Sequence, residues 1–285
     1  MNENPTQHPI RDAPHFLIVG AQKAGTVSLH RYLAAHPGIV ATKKEIAFFD
    51  QDVLFNRGYD WYRSHFPTNK ELDGRLTFEA TPAYLYYPRV PQRIHAYNPH
   101  MKLIVLLRNP AARAISGWNM YRNLRLHQPE FLRSLLPECD EAAADMFNTM
   151  LASATFPDAH QAMHDEVAGI RLGTAPLMPG YVQRGIYSEQ LERYYQYFDR
   201  RQIHIVDSAR LKENPRSALQ DITRFLGLAD HDWQDPELAL LHLGQYDTAF
   251  PTPTYRMLRD FFRPHNKRLY DLLGRDFGWD EEPPS

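Results

Sequence analysis

Few stretches limit what a chain can become as sharply as residues 15 to 33 of this one. Phe16 to Val19 is a short apolar run with two β-branched residues, the pattern of a buried strand. Gly20 to Gly25 supplies a turn with glycine at both ends and Lys23 inside it. From Thr26 the apolar residues fall at Val27, Leu29, Tyr32 and Leu33, a helical spacing that runs into the stop signal His36-Pro37-Gly38. Strand, glycine loop and helix in that order aim backbone N–H groups and a positive helix end at an anion. The stretch is therefore a candidate phosphate-binding loop, with Lys23, Ala24, Gly25, Thr26 and Val27 as its binding residues.

The position of the lysine narrows the chemistry. In a Walker A loop the lysine follows the second glycine; here Thr26 follows Gly25 directly, and Lys23 lies two residues before it. That departure argues against an ordinary ATPase or kinase. Gly20-Ala-Gln-Lys-Ala-Gly-Thr26 instead resembles the 5′-phosphosulfate loop of sulfotransferases that use 3′-phosphoadenosine 5′-phosphosulfate (PAPS). Taken alone, the same residues would serve equally well as a strand–turn–helix whose glycines only make a tight turn.

Composition removes several classes. The chain has 285 residues, 43% hydrophobic and 23% charged, as in an ordinary globular protein with an ample core. A formal net charge of −2 excludes a globally basic nucleic-acid binder but permits a local basic pocket. No apolar run approaches the roughly 20 residues of a membrane span. The polar N-terminal stretch lacks signal-peptide order, and Cys139 is the single cysteine, so no intrachain disulfide can form. A cytoplasmic protein is expected. The 14 histidines show no metal-site spacing, and no metal is expected.

Further along, Leu76 to Ala80 reads as a second strand, Val90 to Tyr97 as a helix and Met101 to Leu107 as a central strand. The Leu-Ile-Val-Leu-Leu core of that last strand is continuously apolar, as expected of a parallel strand covered on both faces. Asn109-Pro110 opens a helix, Ile186 to Phe198 is an aromatic-rich helix, Ile203 to Val206 a strand, and Asn214-Pro215 starts another helix. The segment Tyr255 to Leu273 should be helical on both sides of Pro264. Residues 122–180, broken by five prolines, read as a helical insertion on the acceptor side of one domain spanning 1–285. Residues 12–121 form the donor-binding core, and 181–279 complete it. Alternating strands and helices predict an α/β, P-loop-like three-layer fold with a central parallel sheet.

A second anion site is suggested by Arg108-Asn-Pro-Ala-Ala-Arg-Ala-Ile-Ser116. Arg108 stands at the carboxyl end of the central strand, where open α/β sheets bind ligands, and an arginine with a hydroxyl can hold a phosphate dianion. The stretch resembles the sulfotransferase 3′-phosphate motif, which carried over by position gives Arg108 and Ser116. Glu45-x-x-Phe48-Phe49-Asp50 resembles the heparan-sulfate-type segment whose glutamate takes the acceptor's proton. Gly58-x-x-Trp61-Tyr62, Thr81-Pro82-x-Tyr84 and Pro264-His265-Asn266 continue that likeness. From the residues alone, Lys43-Lys44-Glu45 is equally a solvated charge run. Tyr187, after Arg184-Gly185, matches the family's nucleotide side.

The resemblance implies PAPS as donor. Lys23 would neutralise the leaving oxygen, Ala24 to Thr26 hold the 5′-phosphate, and Glu45 act as base. Departures touch the acceptor. Ala47 replaces a histidine and Ala80 a lysine; the C-terminal cysteine pair and its lid loop are absent, Gln245 to Pro251 standing in that region. A neutral or weakly charged small-molecule or glycan acceptor is expected, recognised by residues 122–179 and the Lys43–Asp50 loop. Two other classes stay open. One is a P-loop kinase with a relocated lysine, for which Asp207 is the tempting acidic ligand. The other is a non-catalytic nucleotide-binding module.

Overall fold

The computed structural model describes residues 13–42, 45–234 and 252–280. Its centre is β1, Phe16–Gly20, all five residues of which are buried. β2 (Ile39–Ala41), β3 (Leu76–Ala80), β4 (Lys102–Leu107) and β5 (Ile203–Asp207) complete a sheet of order β2-β3-β1-β4-β5, every pairing parallel. Phe16 pairs with Phe78 of β3 on one side and Lys102 of β4 on the other, so the two longest apolar runs lie beside each other. Parallel strands require crossovers, and helices supply them on both faces.

After β1 comes α1 (Thr26–Ala35), and between β2 and β3 lie three short helices, α2 (Asp52–Phe55), α3 (Gly58–Arg63) and α4 (Asn69–Leu72). α5 (Val90–Tyr97) leads into β4, and α6 (Pro110–His127) follows it, capped by the Asn109 side chain accepting from Ala112 N–H at 3.1 Å. Residues 122–180 carry the end of α6, then α7 (Pro129–Leu135), α8 (Glu141–Ala152) and α9 (Ala159–Leu172), with no strand among them. α10 (Tyr187–Tyr195) precedes β5, and α11 (Ser208–Glu213), α12 (Pro215–Leu226) and α13 (Thr252–Leu273) follow. Among the described residues no helix is long and apolar enough to cross a membrane.

One element departs from the expectation, and one joins two expected pieces. β2 is a strand that the sequence pattern did not mark, three residues held by pairing with Leu76 to Phe78. α13 runs through Pro264 as one helix. The proline is on the exposed face, while Leu258, Phe261, Phe262 and Leu269 are buried on the other and hold the two halves in line.

Candidate active site

The phosphate loop leaves β1 and is tied at once to the neighbouring strand, Ala21 N–H donating to Leu106 carbonyl at 2.7 Å. A side chain at Gly20 would place its Cβ 2.6 Å from Leu85 Cβ, so only glycine lets the Leu85 backbone approach β1. Gly25 caps α1 with φ 103°, a left-handed conformation that glycine alone adopts cheaply. The first α-helical bond of α1 runs from Leu29 N–H to Gly25 carbonyl, so the amides of its first turn are directed out of the helix end. No acidic residue occupies that turn. Ala24 N–H donates to Ala21 carbonyl at 3.0 Å, closing the turn, which leaves the amides of Gly25, Thr26 and Val27 as the candidates for an anion.

Arg108, at the end of β4, donates from Nη1 to the Lys23 carbonyl at 2.9 Å. The two suspected phosphate motifs, 85 residues apart, are thus one assembly. Lys23, Ala24, Gly25, Thr26, Val27, Arg108, Ser116 and Glu45 all line a single cleft of about 930 Å³ at the carboxyl edge of the sheet. Tyr187 does not line it. That ring is 1% exposed, and its hydroxyl donates to the Arg108 carbonyl at 2.9 Å, fixing the strand end from behind. Asn109 is held likewise, Nδ2 donating to Tyr255 Oη and the Trp279 carbonyl.

The opposite wall is the loop of residues 45–50. Glu45 is exposed on the cleft, its N–H donating to Ala80 carbonyl at 3.0 Å, and Ala47 N–H donates to Thr81 Oγ1 at 3.2 Å. Phe48 and Phe49 are buried, Phe48 stacking on Tyr62 with ring centroids 4.5 Å apart. Sequence reasoning assigned no role to two carboxylates here. Asp50 lines the cleft at 2% exposure; Gln51 donates to Oδ2 at 3.0 Å, Oδ1 has no partner, and burial pushes its pKa up to about 7. Glu79, in β3, is fully buried behind the wall and is also raised by burial. A glutamate within the apolar run Leu-Thr-Phe-Glu-Ala was the available signal, because such a residue is buried only with partners.

Other residues singled out in the sequence lie away from the cleft or are engaged elsewhere. Ala80 is fully buried and does not line the cleft, whereas Ala47 does, so any charge argument about the acceptor rests on Ala47. Of residues 122–180, only Asn123 lines the cleft. Asp207 has both oxygens engaged, by the cap to Ala209 N–H and by Arg275 at 3.2 Å. Lys43, Lys44 and Gln245 to Pro251 lie outside the described residues.

Residues 13–239 match the sulfotransferase domain family. The chain belongs to that family. Heparan sulfate glucosamine 3-O-sulfotransferase 6 of Homo sapiens is 30% identical to this sulfotransferase over 292 residues, covering 94% of this chain and 74% of the relative. Heparan sulfate glucosamine 3-O-sulfotransferase 5 of Homo sapiens is 27% identical, covering 95% and 75%. Among solved structures, a sulfotransferase from Alicyclobacillus acidocaldarius superposes with a TM-score of 0.66 at 26% identity, covering 94% of this chain and 99% of its own. The sulfotransferase is thus an enzyme of sulfuryl transfer on a P-loop-like fold, and the kinase and non-catalytic alternatives fall away.

Proposed function

We propose that this sulfotransferase takes its sulfuryl group from PAPS and passes it to a hydroxyl of a sugar-like, uncharged acceptor. The observation that carries the donor half is the bond from Arg108 to the Lys23 carbonyl. It couples a loop suited to a 5′-phosphate to a strand end suited to a 3′-phosphate, and Arg108 and Ser116 line the same cleft. The donor set fits: amides and a lysine for one phosphate, a guanidinium and a hydroxyl for the other. Lys23 balances the charge that builds on the oxygen leaving with the 5′-phosphate. The acceptor oxygen forms its bond to sulfur as that bridging bond breaks, and its proton passes to Glu45. By analogy with phosphoryl transfer the transition state is loose, so positioning and electrostatics supply most of the acceleration.

The acceptor half rests on what lines the wall around Glu45. Among the described residues beside Glu45, Ala47, Asp50, Thr81, Asn119, Met120 and Asn123 face the cleft and none is basic; the basic residues lining the cleft are Lys23, Arg108 and Lys212. The Oδ1 atoms of Asp50 and Asn123 are buried acceptors without a partner, suited to hydroxyl donors rather than to sulfate groups. A cytoplasmic setting belongs to the same proposal, supported by the single cysteine and checked by cell fractionation. The test of the acceptor follows labelled sulfur from PAPS into matched neutral and heavily sulfated glycans. Incorporation should favour the neutral set. Strong labelling of the sulfated glycan with none of neutral alcohols would contradict it.

A further inference from the structure

Behind the Glu45 wall lies a carboxylate that does not itself line the cleft. Glu79 is fully buried and is not among the cleft-lining residues. Tyr62 Oη donates to its Oε2 at 2.5 Å, and Thr81 Oγ1 and Tyr84 Oη donate to its Oε1 at 2.6 and 2.8 Å. Two of those hydroxyls are used twice. Thr81 Oγ1 accepts from Ala47 N–H at 3.2 Å, and Tyr84 Oη accepts from Phe49 N–H at 3.3 Å.

The direction of these bonds is forced. A backbone amide can only donate, and a hydroxyl has one proton. Thr81 and Tyr84 can accept from the loop only if their own protons are spent elsewhere, and Glu79 is where they are spent. Both tyrosines keep those protons, since burial and the nearby carboxylate hold their pKa values well above the usual phenol range. The loop needs such restraint. Glu45 and Ala47 adopt φ of 60° and 59°, left-handed conformations unfavourable for residues with a side chain. The amide of Ile46, between them, lies toward the Glu79 carboxylate and favours its ionised form.

We propose that Glu79 is a positioning residue for sulfuryl transfer: its carboxylate sets the polarity of Thr81 and Tyr84, and through them holds Glu45 in place on the cleft wall. The proposal rests on Glu45 being the base, as assigned above. It deepens that reading by naming what fixes the base.

Glu79→Gln is the sharpest probe, because it keeps size and shape while its amide donates where the carboxylate accepts. With its NH2 toward Thr81 and Tyr84, the amide turns their protons toward the loop amides. With its NH2 toward Tyr62, it takes the acceptor from the ring that Phe48 of the loop stacks on. Either orientation removes a support of the loop. With labelled PAPS and a neutral acceptor, turnover should fall on the order of 10- to 100-fold, the scale of a misplaced catalytic group. Affinity for adenosine 3′,5′-bisphosphate should stay within about threefold, because the donor wall is built from other residues. The decisive arm is the double variant. In the Glu45→Gln background, Glu79→Gln should cost less than about threefold more, since a residue acting through Glu45 has nothing left to position.

Tyr84→Phe carries the same test should Glu79→Gln fail to fold. It removes one relay, and turnover should fall roughly 3- to 10-fold, again without further loss in the Glu45→Gln background. Turnover unchanged in the folded variants, equal losses in both backgrounds, or bisphosphate affinity falling in step with turnover would overturn the proposal. If Glu45→Gln slows turnover while Glu79→Gln does not, only the positioning role fails. If Glu45→Gln itself has wild-type turnover, the base assignment fails with it.

Discussion

The donor wall and the acceptor wall of the cleft are held in place by different kinds of chemistry. On the donor side the chain uses its backbone: a loop closed by Ala24 N–H on Ala21 carbonyl, a glycine cap at φ 103°, and an arginine bonded to the Lys23 carbonyl. The acceptor wall has less backbone scaffold, chiefly Glu45 N–H on the Ala80 carbonyl and Gln51 N–H on the Ala47 carbonyl. Its loop hangs on side chains from elsewhere, on Thr81 and Tyr84 above the buried Glu79 and on the Phe48–Tyr62 stack. A wall made of backbone tolerates side-chain change; one suspended from a few hydroxyls does not. Substitutions that separate holding the donor from using it should therefore divide along this line.

The largest expected effect lies on the acceptor side. Glu45→Gln keeps its size but cannot take the acceptor's proton at neutral pH. Steady-state kinetics should show turnover lower by about 10²- to 10⁴-fold, with bisphosphate affinity within a few-fold of wild type. Wild-type turnover would mean that Glu45 belongs to a solvated charge run.

Asp50 gives the next largest, read as stability rather than rate. Its folded pKa is raised to about 7 by burial, whereas the unfolded value is roughly 3.9. Between those values the folded state retains a proton that the unfolded state has released. Stability from this group therefore declines as pH rises from about 4 to about 7. Asp50→Asn should remove that decline, gaining on the order of a few kcal/mol at pH 7 and little at pH 4 in urea titrations. Parallel pH profiles for the two proteins would show that the carboxylate is not strained by burial.

A smaller effect is expected on the donor side. Arg108→Ala should weaken the bisphosphate by about 1.5–3 kcal/mol, the worth of a charge-assisted bond. AMP should also weaken, to a lesser degree, because the same guanidinium steadies the phosphate loop through Lys23 carbonyl. Calorimetry showing AMP wholly unaffected would mean that this bond does not hold the loop.

How much could be read from sequence follows the same division. The donor wall is local: a Val-Gly turn, a helix start and a strand-end arginine each lie within a few consecutive residues, and their spacing carries the geometry. Tyr187 was matched to the nucleotide side, but no local pattern could reveal that its hydroxyl meets the Arg108 carbonyl, 79 residues away. The acceptor wall depends almost wholly on such distant contacts. Glu79 binds Tyr62 across 17 residues, and β2 is a strand only because β3 lies beside it. Helix on both sides of Pro264 was legible from the apolar spacing, whereas its continuity through the proline depends on packing of the opposite face.

The central claim is that one cleft reads both phosphates of an adenosine 3′,5′-bisphosphate, and titration calorimetry on the wild-type protein tests it most directly. The bisphosphate should bind more tightly than AMP by about 1.5–3 kcal/mol, the contribution expected of the 3′-phosphate on Arg108 with Ser116. Equal affinities for the two nucleotides would contradict it.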